Sequence, residues 1–148
     1  MVVGAGVTSF KWETREFWSP TRPSAAFDAG SDFTDGVILD DDYFAFTITP
    51  EAGIALDFTS LTFIDRSGGF SVSVATDQDG FTNVIDTVIA AGNWETNTLN
   101  LTSLSDISDA VNIRLYFHDG SGNPRMIDNV TINANVVLPN VAPSADAA

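Results

Sequence analysis

From Tyr43 to Val137 apolar and polar residues alternate with a period of two, and this pattern constrains the fold more than any other feature of the chain. Successive side chains of a β-strand point to opposite faces, so such alternation marks strands with one face against a core. Phe44, Phe46 and Ile48 alternate with Tyr43, Ala45, Thr47 and Thr49 until Pro50 stops the strand. Ile54, Leu56 and Phe58 share the next face. The phase then slips at Thr59-Ser60, so that Leu61 and Phe63 point inward, as a β-bulge or a strand passing between sheets would require. Phe70, Val72 and Val74 alternate with Ser71 and Ser73, and Thr96 to Leu101 alternates again. Val111, Ile113, Leu115 and Phe117 define the clearest strand, and Met126 to Val137 forms a last long one. Only Ser103 to Asp109, with Ser and Asp as caps, suggests a short helical turn. Short strands joined by Asp/Gly/Ser turns predict an all-β protein, an antiparallel β-sandwich.

The charge agrees with that reading. The chain has 148 residues, a single-domain length, with 20 Asp+Glu against 6 Lys+Arg and a formal charge of −14. Glu occurs only at Glu13, Glu16, Glu51 and Glu95, so most of the acids are Asp. Aspartate favours turns and loops because its short side chain bonds nearby backbone. An acidic chain of this kind excludes phosphate-neutralising nucleic-acid binding and a basic lipid-binding patch. No apolar run reaches transmembrane length, so no membrane insertion is expected. Cysteine is absent, which removes disulfides, thiol nucleophiles and thiolate metal sites together. The opening Met-Val-Val-Gly-Ala-Gly lacks the charged and apolar segments of a signal peptide. The folded unit is expected to span residues 1–137. Residues 138–148 run Leu-Pro-Asn-Val-Ala-Pro-Ser-Ala-Asp-Ala-Ala, read either as a frayed terminus or as a linker toward a further module.

The order of the strand segments carries a resemblance. Tyr43-Phe-Ala-Phe-Thr-Ile-Thr-Pro-Glu-Ala-Gly53 and Leu56-Asp-Phe-Thr-Ser-Leu-Thr-Phe63 are followed by Asp79-Gly-Phe-Thr82 and Trp94-Glu-Thr-Asn-Thr-Leu-Asn-Leu101. Ile113-Arg-Leu-Tyr-Phe117 and Ile127-Asp-Asn-Val-Thr-Ile132 close the series. In this order they resemble a bacterial module of secreted and surface proteins that carry PEP-CTERM sorting signals or PKD repeats. The last segment is also similar to the final strand of galactose-binding-like jelly rolls, including many carbohydrate-binding modules. The tail from Asn140 to Ala147 resembles the opening of a PKD-type repeat. The resemblance implies a jelly-roll sandwich of roughly eight to ten strands without catalytic activity. It also implies a secreted or cell-surface setting, with neighbouring domains in a larger chain.

No residue set announces catalysis. The only histidine, His118, has no nucleophile-elbow or metalloprotease motif around it. A binding surface is better supported. Arg114, Tyr116 and His118 fall on the outward face of their strand beside Asn112, which is more polar chemistry than a merely solvated strand requires. Outward Ser71, Ser73, Thr96, Thr98 and Asn100 would extend a polar concave sheet. Trp94 and Trp18 are candidates to stack on a pyranose ring, against the ordinary reading of a sandwich Trp as core or loop plug. The expected partner is therefore a polysaccharide or other glycan. A neutral or calcium-bridged ligand suits so acidic a surface, with Arg114 and Arg125 the exceptions that would suit an acidic sugar. The competing class is a structural or adhesive module whose edge strands and apolar tail support self-assembly.

For a metal, hard oxygen ligands point to Ca²⁺. Asp77-Gln-Asp79-Gly80 resembles the start of a calcium loop, but Val88 stands where the loop needs its twelfth-position Glu, and a plain turn is the simpler reading. Asp128 shares an alternation phase with Met126, Val130 and Ile132, which predicts a partly buried carboxylate in need of a partner. In calcium-binding jelly rolls that Asp is a ligand, and Glu13 and Asp28 are companions by position. The alternative is Asp128 bonded to backbone N–H groups or an Arg.

Overall fold

The alternating segments form strands in a computed structural model, which describes residues 7–14, 26–28, 43–65, 69–118 and 124–138. Within these, β1 (Val7–Thr14), β2 (Ala26–Asp28), β3 (Tyr43–Pro50), β4 (Ala55–Asp65) and β5 (Ser71–Thr76) come first. They are followed by β6 (Asp86–Ile89), β7 (Glu95–Asn100), β8 (Val111–His118) and β9 (Pro124–Val137). The strands build two antiparallel sheets, in the orders β1-β3-β8-β5-β6 and β2-β9-β4-β7. The protein is an all-β sandwich, as the alternation predicts. Among the described residues no helix is long and apolar enough to cross a membrane.

The inward set read from the alternation is the observed core. Phe44, Phe46, Leu61, Phe63, Phe70, Leu99, Ile113 and Leu115 are all buried between the sheets. Phe117 meets Phe44 edge-on at 5.6 Å and Phe70 at 5.7 Å, geometries that aromatic pairs favour. The slip at Thr59-Ser60 is a bulge: Phe58 pairs with Ala134, but Ser60 pairs with the very next residue, Asn133. Thr59 Oγ1 donates to Asn133 O at 3.1 Å and Asn133 Nδ2 donates to Ser60 Oγ at 3.1 Å, which fixes the irregularity in place.

One expectation gives way. Ser103 to Asp109 is not helical. Leu104 and Ile107 are buried there, and Ile107 exchanges backbone hydrogen bonds with Leu56 at 2.9 and 3.0 Å. The N-terminal half of β4 lies beyond the reach of β7, which pairs only from Ser60 onward, and this segment takes that ladder position instead. Among the described residues the one short helical turn is 3₁₀, at Asp77–Asp79.

The abundant aspartates have a common occupation. Asp57 accepts the N–H of Asp106 at 2.7 Å, Asp77 that of Asn112 at 3.1 Å, and Asp79 those of Thr82 and Asn83 at 3.3 and 3.0 Å. Asp86 accepts from Thr87 at 2.9 Å, and Asp65 from Gly92 at 2.6 Å. Backbone donors in connections need partners, and these carboxylates supply them in charge-assisted form.

Candidate functional site

The first feature is a turn that displays Trp94. Glu95 N–H donates to Gly92 O at 3.0 Å, and the two central residues both have left-handed backbones, Asn93 at φ 57° and Trp94 at φ 64°. Two positive φ values in succession define a type I′ turn, whose second position normally takes glycine. A bulky side chain there costs on the order of 1–2 kcal/mol. The indole is not repaying that cost by deep burial, since Trp94 is 55% exposed.

The turn is held from below. Asp65, the last residue of β4, is fully buried. Its carboxylate accepts Gly92 N–H at 2.6 Å and Asn97 Nδ2 at 3.3 Å, while its carbonyl accepts Trp94 N–H at 2.9 Å. Buried Asn97 in turn accepts Ala91 N–H at 3.0 Å through Oδ1 and donates to Glu95 O at 3.3 Å. Neither Asp65 nor Asn97 stood out as a site residue in the sequence. The signal for Asp65 was present: it continues the inward phase of Leu61 and Phe63.

The second feature is the outer face of the five-stranded sheet. Arg114, Tyr116 and His118 do share one face of β8, with Tyr43 of β3 opposite Tyr116 and Ser71 of β5 opposite His118. The face is not the open solvent surface the alternation suggests. Tyr116 is 2% exposed, and all six residues of β5 are buried. Ser73 Oγ links Thr87 Oγ1 and His118 Nε2, each at 2.7 Å. The Arg114 guanidinium carbon lies over two rings, 4.1 Å from the centroid of Tyr43 and 3.7 Å from that of Phe81, and its Nη1 donates to Tyr116 Oη at 3.3 Å.

Phe81 reaches that position because of the chain that precedes it. Gly80 N–H returns to Asp77 O at 3.1 Å and Phe81 N–H to Thr76 O at 2.9 Å, with Gly80 at φ 73° and Phe81 at φ 62°. This is the Schellman pairing that ends a helical turn, and it folds Phe81 back over β8. The Asp77–Gly80 segment is thus a turn. Asn83 holds the Asp79 carboxyl below its usual range, chiefly through its side-chain amide and also through backbone N–H donors.

Other proposed site residues are placed as follows. Thr96, Thr98 and Asn100 belong to β7, in the other sheet, and do not extend the Arg114 face. Trp18 lies outside the described residues, as do residues 139–148 of the tail. For Glu13, Asp28 and Asp128 the backbone alone is described. Glu13 pairs with Ala45 in the five-stranded sheet, whereas Asp28 pairs with Pro124 and Asp128 with Ile64 in the four-stranded one. A second bulge sits in β9, with Asn129 at φ 51°, so the phase of Val130 and Ile132 does not carry through to Asp128. Asp28 and Asp128 stand four residues out of register, about 13 Å along the strand. Two short carboxylates with Ca–O distances of about 2.4 Å do not bridge that span. A calcium ion at Asp128 would draw its other ligands from elsewhere than Asp28. Among the described residues no group of three acidic or imidazole side chains converges on one point.

No protein-family model, curated protein or solved structure matches this chain.

Proposed function

We propose that this chain is a non-catalytic glycan-binding module of a secreted or cell-surface protein, with Trp94 as its ring-stacking platform. The observation that carries the reading is the cost accepted at Trp94. A residue type poorly suited to its backbone is fixed there by two buried polar side chains, and more than half of its surface stays exposed. Strain retained at an exposed aromatic is characteristic of a binding position. An indole face offers the apolar, flat surface on which the C–H face of a pyranose packs.

The strand order supports a jelly roll as the finer description of the sandwich. From β2 onward successive strands mostly cross between the sheets, giving β2-β9-β4-β7 against β3-β8-β5-β6, with β1 added at an edge. Arg114, Tyr116 and His118 serve as a second, more enclosed contact region. A calcium ion near Asp128 would act on stability and not on ligand contact.

Affinity electrophoresis through gels containing polysaccharide tests the reading. Retardation that Trp94→Ala abolishes is expected. No retardation by any polymer, or retardation that Trp94→Ala leaves intact, overturns it. The structural or adhesive reading draws on exposed apolar residues at the end of β9, Val136 and Leu138. It requires concentration-dependent assembly that is lost on deleting residues 138–148.

A further inference from the structure

Among the described residues no carboxylate pairs with Arg114. The chain carries 20 acidic side chains against 6 basic ones, so an arginine's ordinary fate here is an ion pair. Among the described residues Arg114 has no ionic partner: its contacts are the Tyr43 ring, the Phe81 ring and the Tyr116 hydroxyl. Taking a guanidinium partly out of water is costly unless something replaces the lost solvation. Two aromatic faces do so by cation–π attraction, which leaves the net positive charge uncancelled. The hydrogen-bonding capacity is also largely unspent. Nε is buried without an acceptor, and among the described residues no acceptor bonds Nη2.

The stack also fixes direction. Two ring contacts and the bond from Nη1 to Tyr116 Oη hold the guanidinium in one place, which leaves the Nη2 donors as its available N–H groups. A preorganised planar edge with donors on it suits a carboxylate, and clamping it in advance lowers the entropy cost of binding. The chain invests in that clamp, because Phe81 takes a left-handed backbone to reach it.

We propose that Arg114 binds the carboxylate of an acidic sugar, so that the glycan recognised by this module contains uronate residues. This rests on the glycan-binding reading for its ligand class and adds the charge of that ligand. Tyr43 and Tyr116, whose rings meet at 5.7 Å, flank the same position. The Nη2 donors face the sugar carboxylate while Nη1 remains on Tyr116.

The test is affinity electrophoresis in polygalacturonate and in the same polymer after carboxyl reduction, at about 0.15 M salt so that the net negative charge of the chain is screened. Binding to the uronate polymer is expected to exceed binding to the reduced polymer at least tenfold. Arg114→Met, which keeps apolar volume between the rings, is expected to erase that difference. Arg114→Lys, which keeps the charge but not the planar edge, is expected to reduce it several-fold, and circular dichroism verifies that both variants fold. Equal binding to both polymers overturns the carboxylate inference and leaves the glycan reading standing. Preference for the uronate polymer that survives in folded Arg114→Met overturns the role of Arg114. Binding to neither overturns the uronate assignment, and the glycan reading then rests on the wider panel of polymers.

Discussion

The carboxylate of Asp86 on β6 accepts the backbone N–H of Asn100 on β7 at 2.7 Å, and so ties an edge strand of one sheet to an edge strand of the other. Its second oxygen accepts Thr87 N–H at 2.9 Å. Unpaired edge N–H groups invite pairing with other chains, and here one aspartate occupies two such donors. Asp86→Ala is expected to cost about 1–3 kcal/mol in urea unfolding and to increase self-association in sedimentation runs. A variant as stable and as monomeric as the parent would show the link to be incidental.

Trp94→Gly separates display from structure. Glycine occupies a left-handed backbone without strain but loses more entropy on folding, so the two terms nearly offset. Stability is expected within about 1 kcal/mol of the parent, with glycan retardation gone. A large drop in melting temperature would instead identify the indole as a packing element.

Asp65→Ala strands Gly92 N–H in a buried place and takes one of the two acceptors from the Asn97 amide. The expected loss is about 2–4 kcal/mol in chemical denaturation. Weaker glycan binding should accompany it, since the Trp94 turn loses its support.

For Asp79 the folded pKa lies below the ordinary aspartate value. In that interval the unfolded chain binds more protons than the folded one, so stability rises with pH. The contribution is fully present above the ordinary value and disappears as pH falls through the lower, folded one. Unfolding measured across acid pH should show this component in the parent and not in Asp79→Asn. Parallel curves for the two proteins would contradict it.

If calcium sits near Asp128, added calcium raises the thermal midpoint relative to chelator, and Asp128→Asn removes the rise. Identical midpoints in both conditions dispose of the ion.

Much of the architecture was legible because alternation is a direct imprint of the pleat. Phe44, Phe46, Ile113 and Leu115 declared their direction, and the paired polar residues Thr59-Ser60 declared the bulge. What alternation could not convey was the surroundings of each face. Tyr116 and Ser73 read as surface residues, yet both are buried, because period two reports only which side a residue takes. The phase of Asp128 is lost at the adjacent polar pair Asp128-Asn129, which alternation reads straight through although Asn129 takes a left-handed backbone at the bulge. Phe81 over Arg114 depends on how a three-residue helical turn ends, and no periodicity encodes that. Ser103 to Asp109 carried good helix caps, but the unfilled ladder position beside Leu56 outweighed them.

The burial of β5 on both sides has a consequence for tolerance to change. Ser71, Ser73 and Ala75 sit on the side an engineer or a drifting lineage would treat as free to vary. Ser73 and Ala75 are as deeply buried as their apolar neighbours, and Ser71 nearly so. Substitution tolerance along β5 should therefore lack the two-residue rhythm seen in its composition: Ser73→Lys should fail as completely as Val74→Lys, and Ala75→Val should be felt as an overpacked interior. Variation in such a chain concentrates in its connections, while a strand that looks half polar stays fixed along its whole length.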